Sequence, residues 1–189
     1  AFEENAVVIV LLNEFSYGDF ARSTGQLVLE DIKSLISRLL SGEYEEKETL
    51  LVLEELGVYV NNGIEGLLNR SRSAGVKTIV SMQTTADVDK ENPDLTRQII
   101  GNCNDFMIMR VTDQDSAETM AKLIGTEKVI QKTSRTTEGI STGESSNKLV
   151  DQFRISPNEI KNFPSLFGIY YTKNRPTEVK RFKTKFIRI

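Results

Sequence analysis

The 189 residues carry a formal net charge of −3, with 39% hydrophobic and 27% charged side chains, a single cysteine and no histidine. That is the size and composition of one globular domain with a real core, and no aliphatic run approaches the roughly 18 to 20 residues that a membrane span needs. The lone Cys103 excludes an internal disulfide framework, and the lack of histidine argues against zinc sites and imidazole-based triads, which leaves carboxylates, Lys, Arg, amides and hydroxyls for any chemistry.

Along the chain, the aliphatic run Ala6–Leu12 reads as a buried strand, followed by a turn-rich segment from Asn13 to Asp19. From about Phe20 to Leu40, Leu27, Val28, Ile32, Leu35, Ile36, Leu39 and Leu40 recur at three- and four-residue spacing, which predicts a long helix stopped at Ser41-Gly42. Leu50–Leu53 predicts a strand buried on both faces, Asn61-Asn62-Gly63 opens a helix through about Ser73, and Val76–Met82 is a third strand. After a polar stretch, Pro93 suits the first turn of a helix carrying Leu95, Ile99 and Ile100, Phe106–Val111 is a fourth strand, and Asp113–Ile124 is a helix with a capping start and a Gly125 stop. This alternation predicts an α/β fold, a parallel sheet with crossover helices. Thr133–Lys148, rich in Ser, Thr, Gly and Glu, reads as a mobile polar loop or the tips of a hairpin. A short helix from Ser156 to near Asn162 follows, then strands Phe167–Tyr171 and Glu178–Ile187 form a C-terminal antiparallel hairpin. Charge is uneven: Glu43–Glu48 is acidic, whereas Lys173–Ile189 is basic and suits either phosphate contact or the protected edge of a sheet.

The stretch that bears chemistry is Thr49-Leu-Leu-Val-Leu-Glu-Glu-Leu-Gly57, where aliphatics run into two adjacent carboxylates. Open α/β sheets place their ligands at the carboxyl ends of strands, and two neighbouring acids there resist desolvation unless a cation or polarised water shares the site. The pattern suggests the acidic motif of a nucleoside triphosphatase, with Glu54 helping to hold Mg²⁺ through water and Glu55 orienting or deprotonating the attacking water. The plainer alternative is a solvated Glu-Glu turn. Gln83 at the end of the third strand is placed to sense a terminal phosphate, and Arg70 and Arg72 near the end of the intervening helix suit either an arginine finger or cations at a helix C-terminus. No Gly-x-x-x-x-Gly-Lys-[Ser/Thr] occurs, so the chain has no phosphate-cradling loop of its own.

Leu50-Leu-Val-Leu-Glu-Glu-Leu-Gly57, Leu67-Leu-Asn-Arg-Ser-Arg-Ser-Ala-Gly-Val76, Ile79-Val-Ser-Met-Gln83, Ile100-Gly-Asn-Cys-Asn-Asp105, Ser116-Ala-Glu-Thr119 and Ile155-Ser-Pro-Asn-Glu-Ile160, taken in this order, resemble the conjugative coupling proteins of the TraG/TraD type. These are RecA-like DNA-pumping ATPases of type IV secretion systems. The resemblance covers nearly the whole chain and implies a RecA-like three-layer sandwich, with residues 1–189 as a single partial ATPase domain whose phosphate loop and membrane anchor lie upstream in a longer parent. It implies catalytic roles for Glu55, Gln83 and Arg72, and Mg²⁺ contact through water by Glu54, where the family usually carries Asp. It also implies ATP and Mg²⁺ as cofactors of the full-length protein with no tight nucleotide binding by this chain. The implied partners are neighbouring copies in a ring, a relaxosome or accessory transfer protein, and DNA. This chain would be cytoplasmic and without membrane contact, its parent anchored at the inner face of a bacterial membrane. Two other readings stand beside the motor half: a non-catalytic recognition module for an accessory transfer protein, and an unrelated metal-dependent hydrolase using Glu54 and Glu55.

Overall fold

The computed structural model describes residues 6–45, 47–137 and 140–185. They form two compact units that divide after Cys103.

The first unit starts with α1 (Glu14–Leu40). Asn13 caps it, accepting from the Ser16 amide at 3.0 Å, and its axis kinks at Gly18, whose φ of 29° and ψ of −107° are open only to glycine. Of the stripe read from the sequence, Ile36 and Leu39 are buried, Val28, Ile32 and Leu35 are half-buried, and Leu27 and Leu40 are exposed; Ala21 and Leu29 complete the buried face. Strand β1 (Thr49–Leu53) pairs in parallel with β2 (Val76–Val80), from Thr49 opposite Val76 to Leu53 opposite Val80. The crossover between them is a 3-10 turn (Leu56–Val58) followed by α2 (Ile64–Ser73), as parallel pairing demands. Two short helices, α3 (Thr85–Asp89) and α4 (Leu95–Asn102), close the unit. Leu53, Leu56, Val60, Ile64, Leu67, Val88 and Leu95 form its centre.

Three expectations for this unit are overturned. Residues 6–13 are irregular rather than a strand, and Val7 through Leu11 are exposed; a strand needs a hydrogen-bonded neighbour, and the β1–β2 pair does not supply one. The turn expected from Asn13 to Asp19 is instead the capped first part of α1, with the kink at Gly18 absorbing the glycine. Nor is β1 buried on both faces. Leu51 and Leu53 point toward the core, while Leu50 is 61% and Val52 50% exposed, because in a two-stranded pair helices cover only one side.

The second unit is built on an antiparallel sheet in the order β3 (Asp105–Met109), β6 (Phe167–Thr172), β7 (Val179–Lys183). Strand β6 is central, with Ile169 opposite both Ile108 and Arg181. Helix α5 (Gln114–Ile124) begins at the Asp113 cap and ends at Gly125, whose φ is +90°, and α6 (Pro157–Lys161) is capped by Ser156. Ile108, Ala117, Ala121, Ile160, Ile169 and Tyr171 make this unit's core. A long hairpin, β4 (Thr126–Thr137) with β5 (Ile140–Phe153), forms the third sheet.

Here the C-terminal hairpin is antiparallel as expected, while β3 departs from the parallel order expected of it. It pairs antiparallel with β6, which has an alternating pattern with Ile169 and Tyr171 on the core face and so offers a ready partner for Ile108. The polar segment Thr133–Lys148 falls in β4 and β5, with residues 138 and 139 outside the described set. The last residues of the expected final strand, 186–189, also lie outside it.

Candidate functional site

The acid pair sits where β1 gives way to the 3-10 turn. Leu53 is the last strand residue, and Glu55 takes a left-handed conformation, φ 48° and ψ 50°, which reverses the chain and leaves both carboxylates exposed. Ser81, just beyond β2, holds this turn with three bonds. Its amide donates to the Leu53 carbonyl at 2.9 Å, its carbonyl accepts from the Leu56 amide at 3.0 Å, and its hydroxyl oxygen accepts from the Glu55 amide at 3.3 Å. Two residues on, the Gln83 side-chain amide donates to Glu55 Oε1 at 2.6 Å. The parallel pairing of β1 and β2 is what brings these two side chains, 28 residues apart in sequence, to one strand end.

Tyr59 supports the turn from beneath. Its hydroxyl donates to the Glu54 carbonyl at 2.9 Å, and its ring lies against Gly25 of α1, where an added Cβ would stand 2.6 Å from Tyr59 Cβ. Burial, and then the nearby Glu54 charge, push the Tyr59 phenol above its ordinary pKa of 10.0, which keeps it a neutral donor. Gly57 fits closely against α3, since a Cβ there would stand 2.7 Å from Asp87 Cβ.

Glu55 and Gln83 are therefore brought together, with Glu54 adjacent in the chain. Arg72 is not. It lies exposed in the last turn of α2, which leads into the amino end of β2, so it sits at the opposite end of the strand pair. Arg70 lines a separate cleft of about 260 Å³ with Lys33, Asn62 and Gly63. Asn102 spends its amide on the Gln98 carbonyl within α4, at 2.9 Å. A cleft of about 420 Å³ in the second unit is lined by Phe163, Pro164, Phe167 and Arg181 among others, and neither cleft includes Glu54, Glu55 or Gln83.

Among the described residues no three Asp, Glu, Cys or His side chains converge to hold a metal ion. The exposed Glu54–Glu55 pair still suits a hydrated Mg²⁺ held mainly by phosphate oxygens and water, the usual manner for this hard, reluctantly dehydrated ion.

Sequence reasoning singled out Glu54, Glu55 and Gln83 as strand-end residues but passed over Ser81, Tyr59 and α3. A serine breaking an aliphatic strand two residues before a polar strand end was the available signal for Ser81. For α3, it was Thr84-Thr-Ala-Asp87, a capping pattern in which the Thr84 hydroxyl accepts from the Ala86 amide at 3.1 Å. Among the described residues no helix is long and apolar enough to cross a membrane.

A search of curated proteins by sequence gave no match. Among solved structures, the chain is similar to the unbound bacterial conjugative coupling protein TrwBΔN70, with 18% identity, a TM-score of 0.65, and coverage of 83% of this chain and 36% of that one. It is also similar to the plasmid coupling protein TrwB in complex with ADP and Mg²⁺ (17% identity, TM-score 0.67) and with the ATP analogue ADPNP (17%, 0.68), each over 92% of this chain and 39% of the other. At such identity the likeness shows the fold, a RecA-like α/β fold with a parallel pair and antiparallel hairpins. This chain spans less than two-fifths of the length of those structures. Residues 48–165, which hold the acid turn, Gln83 and the parallel pair β1–β2, match the model of the TraM recognition site of TraD and TraG, and the chain belongs to this TraG/TraD family of conjugative coupling proteins.

Proposed function

We propose that this chain is the acidic-motif half of the ATP-hydrolysing motor of a conjugative DNA-transfer coupling protein, working within a longer parent polypeptide. The observation that supports it is the 2.6 Å bond between Gln83 and Glu55 at the carboxyl ends of two parallel strands, on exposed surface where a nucleotide held by other residues has access. In this reading Glu55 takes a proton from the attacking water and Gln83 orients that water against the terminal phosphate, the two groups parting to admit it. Glu54 would hold a Mg²⁺ ion through water, and such an ion would supply charge neutralisation at the phosphates. Arg72, distant from the pair within one chain, serves only across a subunit boundary, where a ring of copies brings it to a neighbour's nucleotide. The parent is anchored to a bacterial membrane and this chain faces the cytoplasm. The TrwB structures with ADP and Mg²⁺ and with ADPNP are consistent with such a nucleotide site.

The test is Glu55→Gln in the full-length parent. General-base loss lowers hydrolysis by about 10² to 10⁴-fold while nucleotide affinity stays within about twofold of the native value. Turnover at the native rate would refute the role of Glu55.

The family description favours a second reading, in which residues 48–165 dock an accessory transfer protein of the TraM kind. The two are compatible in one polypeptide and separable by the same variant. Binding of the accessory protein to the parent, measured by calorimetry, stays intact in Glu55→Gln if docking uses surfaces other than the hydrolytic turn.

A further inference from the structure

The geometry points to Ser81 and Tyr59 as positioning residues that hold Glu55 in register with Gln83, an assignment that rests on the hydrolytic reading of that pair. A non-glycine residue takes the left-handed conformation of Glu55 only where its surroundings impose it. Here the imposing bonds are visible. The Glu54 carbonyl accepts from the Tyr59 hydroxyl, the Glu55 amide donates to the Ser81 hydroxyl, and the Leu56 amide donates to the Ser81 carbonyl. Two side chains thus grip the single peptide group that joins Glu54 to Glu55, Ser81 from just beyond β2 at its N–H and Tyr59, its ring seated on Gly25 of α1, at its carbonyl.

Neither residue reaches a reacting atom; each acts through the backbone that aims the carboxylate. Ser81 also stands two residues before Gln83, so one residue fixes both the acid turn and the start of the segment that carries the amide. If the turn relaxes toward an ordinary right-handed or extended conformation, the Glu55 side chain swings away from Gln83. A displacement of about 1 Å at a reacting group is enough to cost about 10²-fold in rate.

The experiment compares Ser81→Ala, Ser81→Thr and Tyr59→Phe with Glu55→Gln in the full-length parent, following ATP hydrolysis, nucleotide affinity and melting temperature. Tyr59→Phe keeps the ring against Gly25, and Ser81→Thr keeps the hydroxyl. The expected result is a kcat lowered by about 10 to 10²-fold in Ser81→Ala and Tyr59→Phe, with KM and melting temperature little changed, and restored to within about threefold of native in Ser81→Thr. If Glu55→Gln abolishes turnover while Ser81→Ala and Tyr59→Phe hydrolyse at the native rate, the positioning role is overturned and the hydrolytic reading survives. A rise in KM at unchanged kcat, or a loss that Ser81→Thr does not restore, also overturns it. Native turnover by Glu55→Gln overturns both.

Discussion

The two units solve strand pairing in opposite ways, and the difference shows where strand ends of like polarity meet. The first unit's sheet is two parallel strands of five residues each, held together by a crossover helix and leaving Leu50, Val52 and Ile79 facing outward. The second unit's sheet is antiparallel, with β6 bonded on both edges and Ile169 fully buried. Charge divides along the same line. Residues 1–103 hold 9 Lys and Arg against 17 Asp and Glu, a net −8, while residues 104–189 hold 15 against 10, a net +5. Parallel pairing brings two strand ends of like polarity together, which is how Glu55 meets Gln83; antiparallel hairpins mix the polarities and offer no such rim.

The sharpest way to break this contrast is to truncate one residue in each sheet. Ile169→Ala removes a side chain that is 0% exposed and should destabilise the second unit by about 2 to 5 kcal/mol, whereas Ile79→Ala, at a side chain 54% exposed, should stay within about 0.5 kcal/mol. Denaturant unfolding of the isolated chain measures both. A comparable loss from Ile79→Ala would mean that the outer face of the parallel pair is covered in solution, and the contrast between open and closed sheets would fall.

Glycine supplies a second contrast, with opposite signs in the two units. A Cβ on Gly168 in β6 would stand 2.7 Å from Phe182 Cζ and 2.8 Å from the Ile108 carbonyl oxygen, a backbone atom that cannot swing aside. Gly168→Ala should therefore cost about 1 to 3 kcal/mol. Gly66 in α2 meets nothing within 4 Å, so Gly66→Ala should stabilise the first unit by about 0.5 to 1 kcal/mol through helix propensity alone. A melting temperature left unchanged or raised by Gly168→Ala would contradict the packing described for β6, and one lowered by Gly66→Ala would contradict the open surroundings of α2 at that position.

What the sequence disclosed follows from which interactions are local. Helices α1, α2 and α5 were legible because their stripes and stops lie within one segment: Ile36 and Leu39 for α1, Gly125 for the end of α5. Glu54, Glu55 and Gln83 were legible because an aliphatic run ending in polar groups marks a strand's carboxyl end. Strand partners were not, since pairing is decided between distant segments. Phe106–Met109 has the composition of a parallel interior strand but bonds antiparallel to β6, and Ala6–Leu12 has strand composition with no partner. Ser81 was passed over for the same reason: its neighbourhood marks only a polar break in the strand, while its three bonds reach back some 25 to 28 residues.

The smallest expected effect distinguishes the caps of the two units by pH. Asp113 caps α5 by accepting from the Ser116 amide at 2.8 Å, and hydrogen bonding from Ser116, first its side chain and then its amide, holds the carboxyl below its ordinary 3.8. A depressed folded pKa means that the ionised cap contributes its full stability above 3.8 and loses it as pH falls through the lower folded value. Asn13 makes the equivalent bond at the start of α1 with a neutral amide, which has no proton to gain. Asp113→Ala should thus lower the melting temperature at pH 7, with the gap to the native chain closing below about pH 4, whereas the gap for Asn13→Ala should stay level over the same range. Thermal melts of both variants from pH 7 to pH 3 read the difference directly, and a gap for Asp113→Ala that does not narrow on acidification would show that the α5 cap owes nothing to its charge.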